Sequence, residues 1–221
     1  MKLYHGSVSV VNMPEFGVGN RRNDYGQGFY CTEHIELAKE WACFSGKDGF
    51  VNCYNLGLEG LAVFDLTRCH ILNWMAILLE NRTFDLSAGL SSVAKDYILE
   101  TFLPDYKRYD VIRGYRADDS YFSFAKDFLN NTISIEDLSE AMKLGKLGEQ
   151  VVLKSQRAFN ALSFEASLPV DSSVYYLKWK RRDQIARNDY KVIKEKSNPL
   201  EGTYILDIIR QKWKNNDERL R

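Results

Sequence analysis

Three short segments hold residue types that can do chemistry. Leu3-Tyr4-His5-Gly6-Ser7 ends a β-like run on an imidazole followed by a glycine. Asp24-Tyr25-Gly26-Gln27-Gly28-Phe29-Tyr30-Cys31-Thr32 sets aromatic side chains among glycines, and a helical stretch bearing Trp41 follows it. Glu149-Gln150-Val151-Val152-Leu153-Lys154-Ser155 places an acid and an amide at the head of an apolar strand. Taken singly, each also reads as structure: a histidine satisfied in the core, a turn whose glycines supply φ > 0 while its aromatics enter the core, and an ordinary polar strand start. The glycines do not make the dinucleotide-fold fingerprint, because no strand–glycine turn–helix unit with a third glycine is present. The four cysteines, Cys31, Cys43, Cys53 and Cys69, lack metal-clip spacing and have only His5, His34 and His70 to help them. They read as reduced thiols in or near the core, and no metal site is expected.

The elements that must position these residues follow from periodicity and punctuation. Residues 2–5 and 29–32 read as short strands separated by a polar, glycine-containing loop. Ile35, Leu37, Ala38, Trp41 and Ala42 have helical spacing, with Thr32 as the expected N-cap. Phe50–Leu56 and Leu61–Asp65 read as a strand pair, and 71–80 and 91–103 as helices, the second stopping before Pro104. Tyr109–Arg113 is an expected strand and Asp118–Asn130 a helix. Ser134 with Asp137 three residues on is a capping-box-like helix start. Gln150–Leu153 is strongly β, 155–161 a short helix, and 163–166 and 174–178 further short strands. Many short strands without alternating β-α-β units indicate an α+β fold.

Beyond Trp179 the pattern changes. Leu200, Tyr204 and Ile208, with Ile205, Ile209 and Trp213, recur four apart, which predicts one apolar stripe on a basic helix. From Lys178 to Arg221 there are 13 Lys/Arg against 7 Asp/Glu, leaving 17 against 23 for the rest of the 221 residues. The expected organisation is a body over 1–178 and a basic helical extension over 179–221 packed on it, its charge a solvated face or a nucleic-acid patch. Hydrophobic residues at 45% and charged residues at 27% fit a soluble globular chain. No apolar run approaches the ~20 residues that span a bilayer, and the start lacks a secretory signal pattern. A cytoplasmic location and no membrane partner are the expectations.

Together the three segments resemble the His–Tyr–Glu branch of the ADP-ribosyltransferases, typified by diphtheria toxin. That branch carries Tyr-His-Gly-Thr near its start, Gly-Phe-Tyr-Ser-Thr some thirty residues later, and a second aromatic eleven positions after the latter tyrosine. Here Trp41 stands eleven after Tyr30. More closely still, the stretch resembles an uncharacterised bacterial family of the same clan. Its members have Tyr-His-Gly-Ser, Asp-Phe/Tyr-Gly-x-Gly-Phe-Tyr-x-Thr, a Trp-Ala pair and Tyr-Asp-x-Val-x-Gly…Ala-Asp-Asp, which is present as Tyr109-Asp110-Val111-Ile112 through Gly114 to Ala117-Asp118-Asp119. The resemblance covers roughly residues 2–165. Its first two segments are specific and the third is weak.

The resemblance implies split, mostly antiparallel sheets around an NAD cleft, NAD as substrate without a metal, and transfer of ADP-ribose to a protein or nucleic-acid acceptor with release of nicotinamide. It further implies a toxin role, with a neutralising antitoxin as partner. By analogy, Tyr30 and Trp41 sandwich the cationic nicotinamide ring, which suits stacking and cation–π attraction. The Gly6 backbone holds the nicotinamide amide, and His5 the adenine-side ribose. Ser7, Tyr25, Gly28 and Thr32 complete the cofactor-binding set. Where the family places a glutamate to bind the ribose 2′-hydroxyl and stabilise developing positive charge, this chain reads Glu149-Gln150. Family spacing favours Gln150, with Glu149 on the opposite face of the strand, and a glutamate at 150 is expected to keep or raise NAD hydrolysis. Arg21 and Arg22 are candidates for the pyrophosphate, and Asp118 and Asp119 read either as helix-start acids or as cleft residues. NAD hydrolysis, NAD-dependent removal of an RNA 2′-phosphate and a catalytically weak NAD- or nucleotide-binding module are the alternatives.

Overall fold

A three-stranded antiparallel sheet takes its strands from far apart in the chain: β1 (Lys2–Ser7), β3 (Gly49–Leu56) and β7 (Leu162–Val170), in the order β1-β3-β7. A second sheet runs β2 (Phe29–Cys31), β6 (Glu149–Leu153), β5 (Val111–Tyr115), β4 (Val63–Asp65). Its pairs are antiparallel except β4–β5, which is parallel, so this sheet is mixed. The sheets meet where the N–H and C=O of Tyr4 exchange hydrogen bonds of 2.8 and 2.9 Å with Thr32. This computed structural model describes the chain except residues 87–88, 118, 143, 145–148, 199 and 221 and the side chains of 119–121.

Helices cover the sheets. α1 (Ile35–Ala42) lies on β1 and β3, its Ala38 and Ala42 fully buried. α2 (Ile71–Asn81) is apolar nearly all round and packs on α3 (Leu90–Phe102), which ends before Pro104. α4 (Asp119–Leu129) and α5 (Ile135–Ala141) complete that layer. The expected capping box is present: Ser134 Oγ accepts from Asp137 N–H at 3.0 Å and Asp137 Oδ2 accepts from Ser134 N–H at 3.2 Å. Ser155 caps the short α6 (Gln156–Asn160), again as its hydroxyl and position suggest.

Four local readings differ. Phe50–Leu56 and Leu61–Asp65 do not pair with each other: β3 lies between β1 and β7 in the first sheet, whereas β4 pairs with β5 at the edge of the second. Thr32 does not cap α1: the helix starts three residues later behind His34, and the Thr32 hydroxyl accepts from His34 N–H while donating to the Glu149 carbonyl. Residues 174–178 are not a strand but lie in the first two turns of α7 (Ser172–Lys196). Val174-Tyr175-Tyr176 has strand propensity, yet Asp171 caps the first turn and Ala186, Tyr190 and Ile193 bury one face at helical spacing, so tertiary contacts override local preference. The divide placed between 178 and 179 therefore falls inside one continuous helix.

The C-terminal stripe is shorter than its sequence period. α8 (Ile205–Arg210) contributes Ile205 and Ile208 to the largest core, which Trp213 also joins, whereas Leu200 is 94% exposed. Deleting 198–221 would strip side chains contributing roughly 1.5–3 kcal/mol each. With about 2–4 °C per kcal/mol for a domain of this size, the melting temperature should fall by about 10 °C or more in a calorimetric scan. An unchanged melting temperature would exclude this docking. Among the described residues no helix is long and apolar enough to cross a membrane.

Candidate functional site

The two sheets part beyond the Tyr4–Thr32 contact, and the gap is a cleft of about 240 Å³ lined by His5, Gly6, Asn23, Asp24, Tyr30, Trp41, Arg82, Arg116, Ala117 and Gln150. Alternation along β1 opens one of its edges there. Tyr4 turns both backbone polar groups toward the Thr32 end of β2, so Gly6, two residues on, turns its own to the same side, where β1 and β2 form no further backbone bond among the described residues. No protein partner meets them among the described residues. Gly6 is a glycine because α1 crosses its Cα: an added Cβ would lie 2.0 Å from Ala38 O and 2.7 Å from Ala42 N. That close approach also sets Trp41 beside the open edge.

His5 is fixed in ring orientation and in tautomer. Its Nδ1 lies 2.7 Å from the Tyr30 carbonyl, which can only accept, so Nδ1 carries the proton and Nε2 keeps its lone pair. Burial holds its pKa below the ordinary imidazole value, the carbonyl contact opposing this in part. The Tyr30 hydroxyl donates to Gly26 O at 2.5 Å and accepts from Tyr25 N–H at 3.1 Å, tying the ring to the 24–26 turn. Lys154 clamps that loop from behind, donating to the carbonyls of Tyr25 and Gln27 at 2.5 Å each, while burial pushes its pKa down to about 8.

Strand alternation separates the neighbours on β6. Gln150 is buried at the cleft and donates through Nε2 to Asp24 Oδ2 (3.0 Å) and the Tyr115 carbonyl (3.1 Å). Glu149 lies on the other face, its Oε2 accepting from Arg113 Nε at 2.5 Å, with Glu33 3.2 Å from the same guanidinium. Glu149 is thus held in an ion cluster outside the cleft.

Four further expected binding residues do not line it. The Tyr25 ring is sealed in the core, its hydroxyl donating to Tyr115 O at 2.7 Å. Gly28 packs on β6, where a Cβ would meet Leu153 O at 2.8 Å. Ser7 Oγ accepts from Asn52 Nδ2 and donates to Ser9 O. Thr32, fully buried, joins the sheets. Asp118 lies outside the described residues, as does the Asp119 side chain.

Arg21 and Arg22 are exposed. The cations at the cleft are Arg82, whose guanidinium stands 3.7 Å from Asp24 Oδ1, and Arg116, 4.5 Å over the Trp41 ring. Sequence reasoning missed both, along with Asp24, although Asp24 opens the glycine-aromatic segment and Arg116 immediately precedes Ala117-Asp118-Asp119. Trp41 Nε1, buried, has no hydrogen-bond partner among the described residues.

A second groove of about 690 Å³ adjoins the cleft, sharing Trp41, Arg82, Arg116 and Ala117 with it. Its far wall is α7, through Tyr176 and Trp179, whose rings stack with centroids 5.6 Å apart. α7 is held against α1 by a largely buried Arg182–Glu40 ion pair. No cluster of metal-ligating side chains occurs among the described residues.

Two sheets with a polar, aromatic-lined cleft at their junction define an α+β protein. The chain belongs to the family described as "Protein of unknown function (DUF3990)", whose match spans residues 1–164 and so includes every cleft residue. No curated protein and no solved structure matches the chain. α7 and α8 lie beyond the matched region.

Proposed function

We propose that the protein has an ADP-ribosyltransferase-like fold, binds NAD in this cleft and transfers its ADP-ribose to a macromolecular acceptor, releasing nicotinamide. The observation that carries the reading is the convergence of His5, Gly6, Tyr30, Trp41 and Gln150, from β1, β2, α1 and β6, on one cleft. The polar groups at the cleft suit the ligand. The Gly6 edge offers a donor and an acceptor to a carboxamide, His5 Nε2 and Gln150 Oε1 can accept from ribose hydroxyls, and Arg82 and Arg116 suit a pyrophosphate. The Trp41 ring, already holding a guanidinium at one position, suits a planar cationic ring.

Bound NAD supplies a cationic leaving group. The bond from ribose C1′ to the pyridinium nitrogen breaks, its electron pair leaves with neutral nicotinamide, an acceptor lone pair bonds to C1′, and the acceptor proton passes to solvent. The chain's own residues position C1′ and shield its developing charge, and positioning alone is worth several kcal/mol. The adjoining groove beside Trp41 is where an acceptor would approach; with water as acceptor the same site is an NAD glycohydrolase.

Tyr30→Ala removes one ring of the cleft and the anchor of the 24–26 turn. NAD affinity should fall at least tenfold, about 1.4 kcal/mol, in a calorimetric titration of a folded variant. Wild-type affinity would remove Tyr30 from the binding set. The function itself is tested by incubating the full chain with adenosine-labelled NAD and cell extract. Nicotinamide release with label in a macromolecular fraction is expected; folded protein that leaves NAD intact would refute it.

A further inference from the structure

Resting on the reading of the cleft as an NAD site, we propose that Asp24 is its positioning residue. By holding the Gln150 amide with Oε1 open to the cleft, Asp24 supplies through that amide the negative charge that glutamine lacks. The amide orientation is dictated by its partners. Nε2 meets a carboxylate at 3.0 Å and a backbone carbonyl at 3.1 Å, both of which only accept, so the NH₂ group must face them and Oε1 must face away. Oε1 has no hydrogen-bond partner among the described residues, and Gln150 lines the cleft. A carboxylate behind an amide polarises it, making Oε1 a stronger acceptor for a ribose hydroxyl, and the effect is large where water is excluded.

Asp24 is itself built in. It is 6% exposed, its Oδ2 also accepts from Ala117 N–H at 2.9 Å, and Arg82 stands 3.7 Å from Oδ1. Burial raises its pKa, opposed by the Ala117 and Gln150 hydrogen bonds and by the positive charges of Arg82 and Arg116; among the described residues the other titratable groups facing it are the hydroxyls of Tyr25 and Tyr30. The charged form is therefore lost at a higher pH than for an ordinary carboxylate. If that form orients and polarises Gln150, the acid limb of NAD cleavage should lie above the ordinary carboxylate range.

The contact also changes what a glutamate at 150 would do. Beside Asp24 at hydrogen-bond distance, a second carboxylate forces one of the pair to hold a proton, so Gln150→Glu alone should cleave NAD more slowly than wild type.

The test is Asp24→Asn, Gln150→Glu and their combination in the full chain, followed by nicotinamide release across pH and by calorimetric NAD titration. Asp24→Asn should lower kcat at least 30-fold, leave NAD affinity within about threefold and erase the acid limb. Asp24→Asn with Gln150→Glu, which moves the charge one residue along, should recover at least tenfold of that loss. Should Asp24→Asn fail to fold, the Gln150→Glu pair decides: the single variant must be slower than wild type and regain rate when Asp24→Asn is added. Wild-type kcat and pH profile in Asp24→Asn, or no recovery in the combination, would overturn the proposal while leaving the NAD reading intact. Wild-type protein that neither binds nor cleaves NAD would overturn both.

Discussion

Gly6→Ala should cost the protein much of its stability and take away one wall of its cleft. The added methyl would point at main-chain atoms, 2.0 Å from Ala38 O and 2.7 Å from Ala42 N, and 2.9 Å from Trp41 Cβ. Backbone cannot rotate aside as a side chain can, so α1 must move off β1. Overpacking costs typically 1–3 kcal/mol and occasionally more, and contacts this short belong at the upper end. With about 2–4 °C per kcal/mol, the melting temperature should drop by about 10 °C, and Trp41 should leave the open edge of β1 with the helix. Circular dichroism melts check the first effect and NAD titration the second. A variant that melts like wild type would mean that α1 does not cross β1 at Gly6.

Gln150→Ala should abolish nicotinamide release, by at least 100-fold or about 2.7 kcal/mol of barrier. Removing one preorganised group from a buried site costs about that much in other enzymes, and here the loss also leaves the Asp24 carboxylate without one donor. Glu149→Ala should leave release within a few-fold of wild type, because Glu149 is spent on Arg113 across the strand. Steady-state kinetics on both folded variants decide the point. Loss of activity in Glu149→Ala with retention in Gln150→Ala would place the ribose-binding residue on the other face of β6.

Those neighbours illustrate what sequence carries well. The two-residue period of a strand assigns Glu149 and Gln150 to opposite faces before any coordinates exist, and the fully apolar Val151-Val152-Leu153 run marks β6 as a strand. Helices with clear punctuation were equally legible, Ser134 with Asp137 and the stop before Pro104 among them. Local signals failed where the decision was tertiary. Tyr175 and Tyr176 read as strand, but α7 is fixed by what it packs against. Thr32 reads as a cap, but its hydroxyl joins the sheets.

The candidate site divided in the same way. His5, Gly6, Tyr30, Trp41 and Gln150 came from motif and spacing, and all five line the cleft. Tyr25, Gly28, Ser7 and Thr32 sit in the same motifs yet serve packing and sheet junction. Asp24, Arg82 and Arg116 needed coordinates: a lone acid before a tyrosine and two arginines 34 residues apart carry no spacing rule, and only the fold brings them together.

The most direct test is a calorimetric titration of NAD into the full chain, repeated with Trp41→Ala. Saturable one-to-one binding tighter than about 1 mM, within the range of enzyme–substrate affinities, and its loss in a Trp41→Ala variant that keeps its melting temperature are expected. Folded wild-type protein that takes up no NAD at that concentration, or binding indifferent to Trp41, would contradict an NAD site in this cleft.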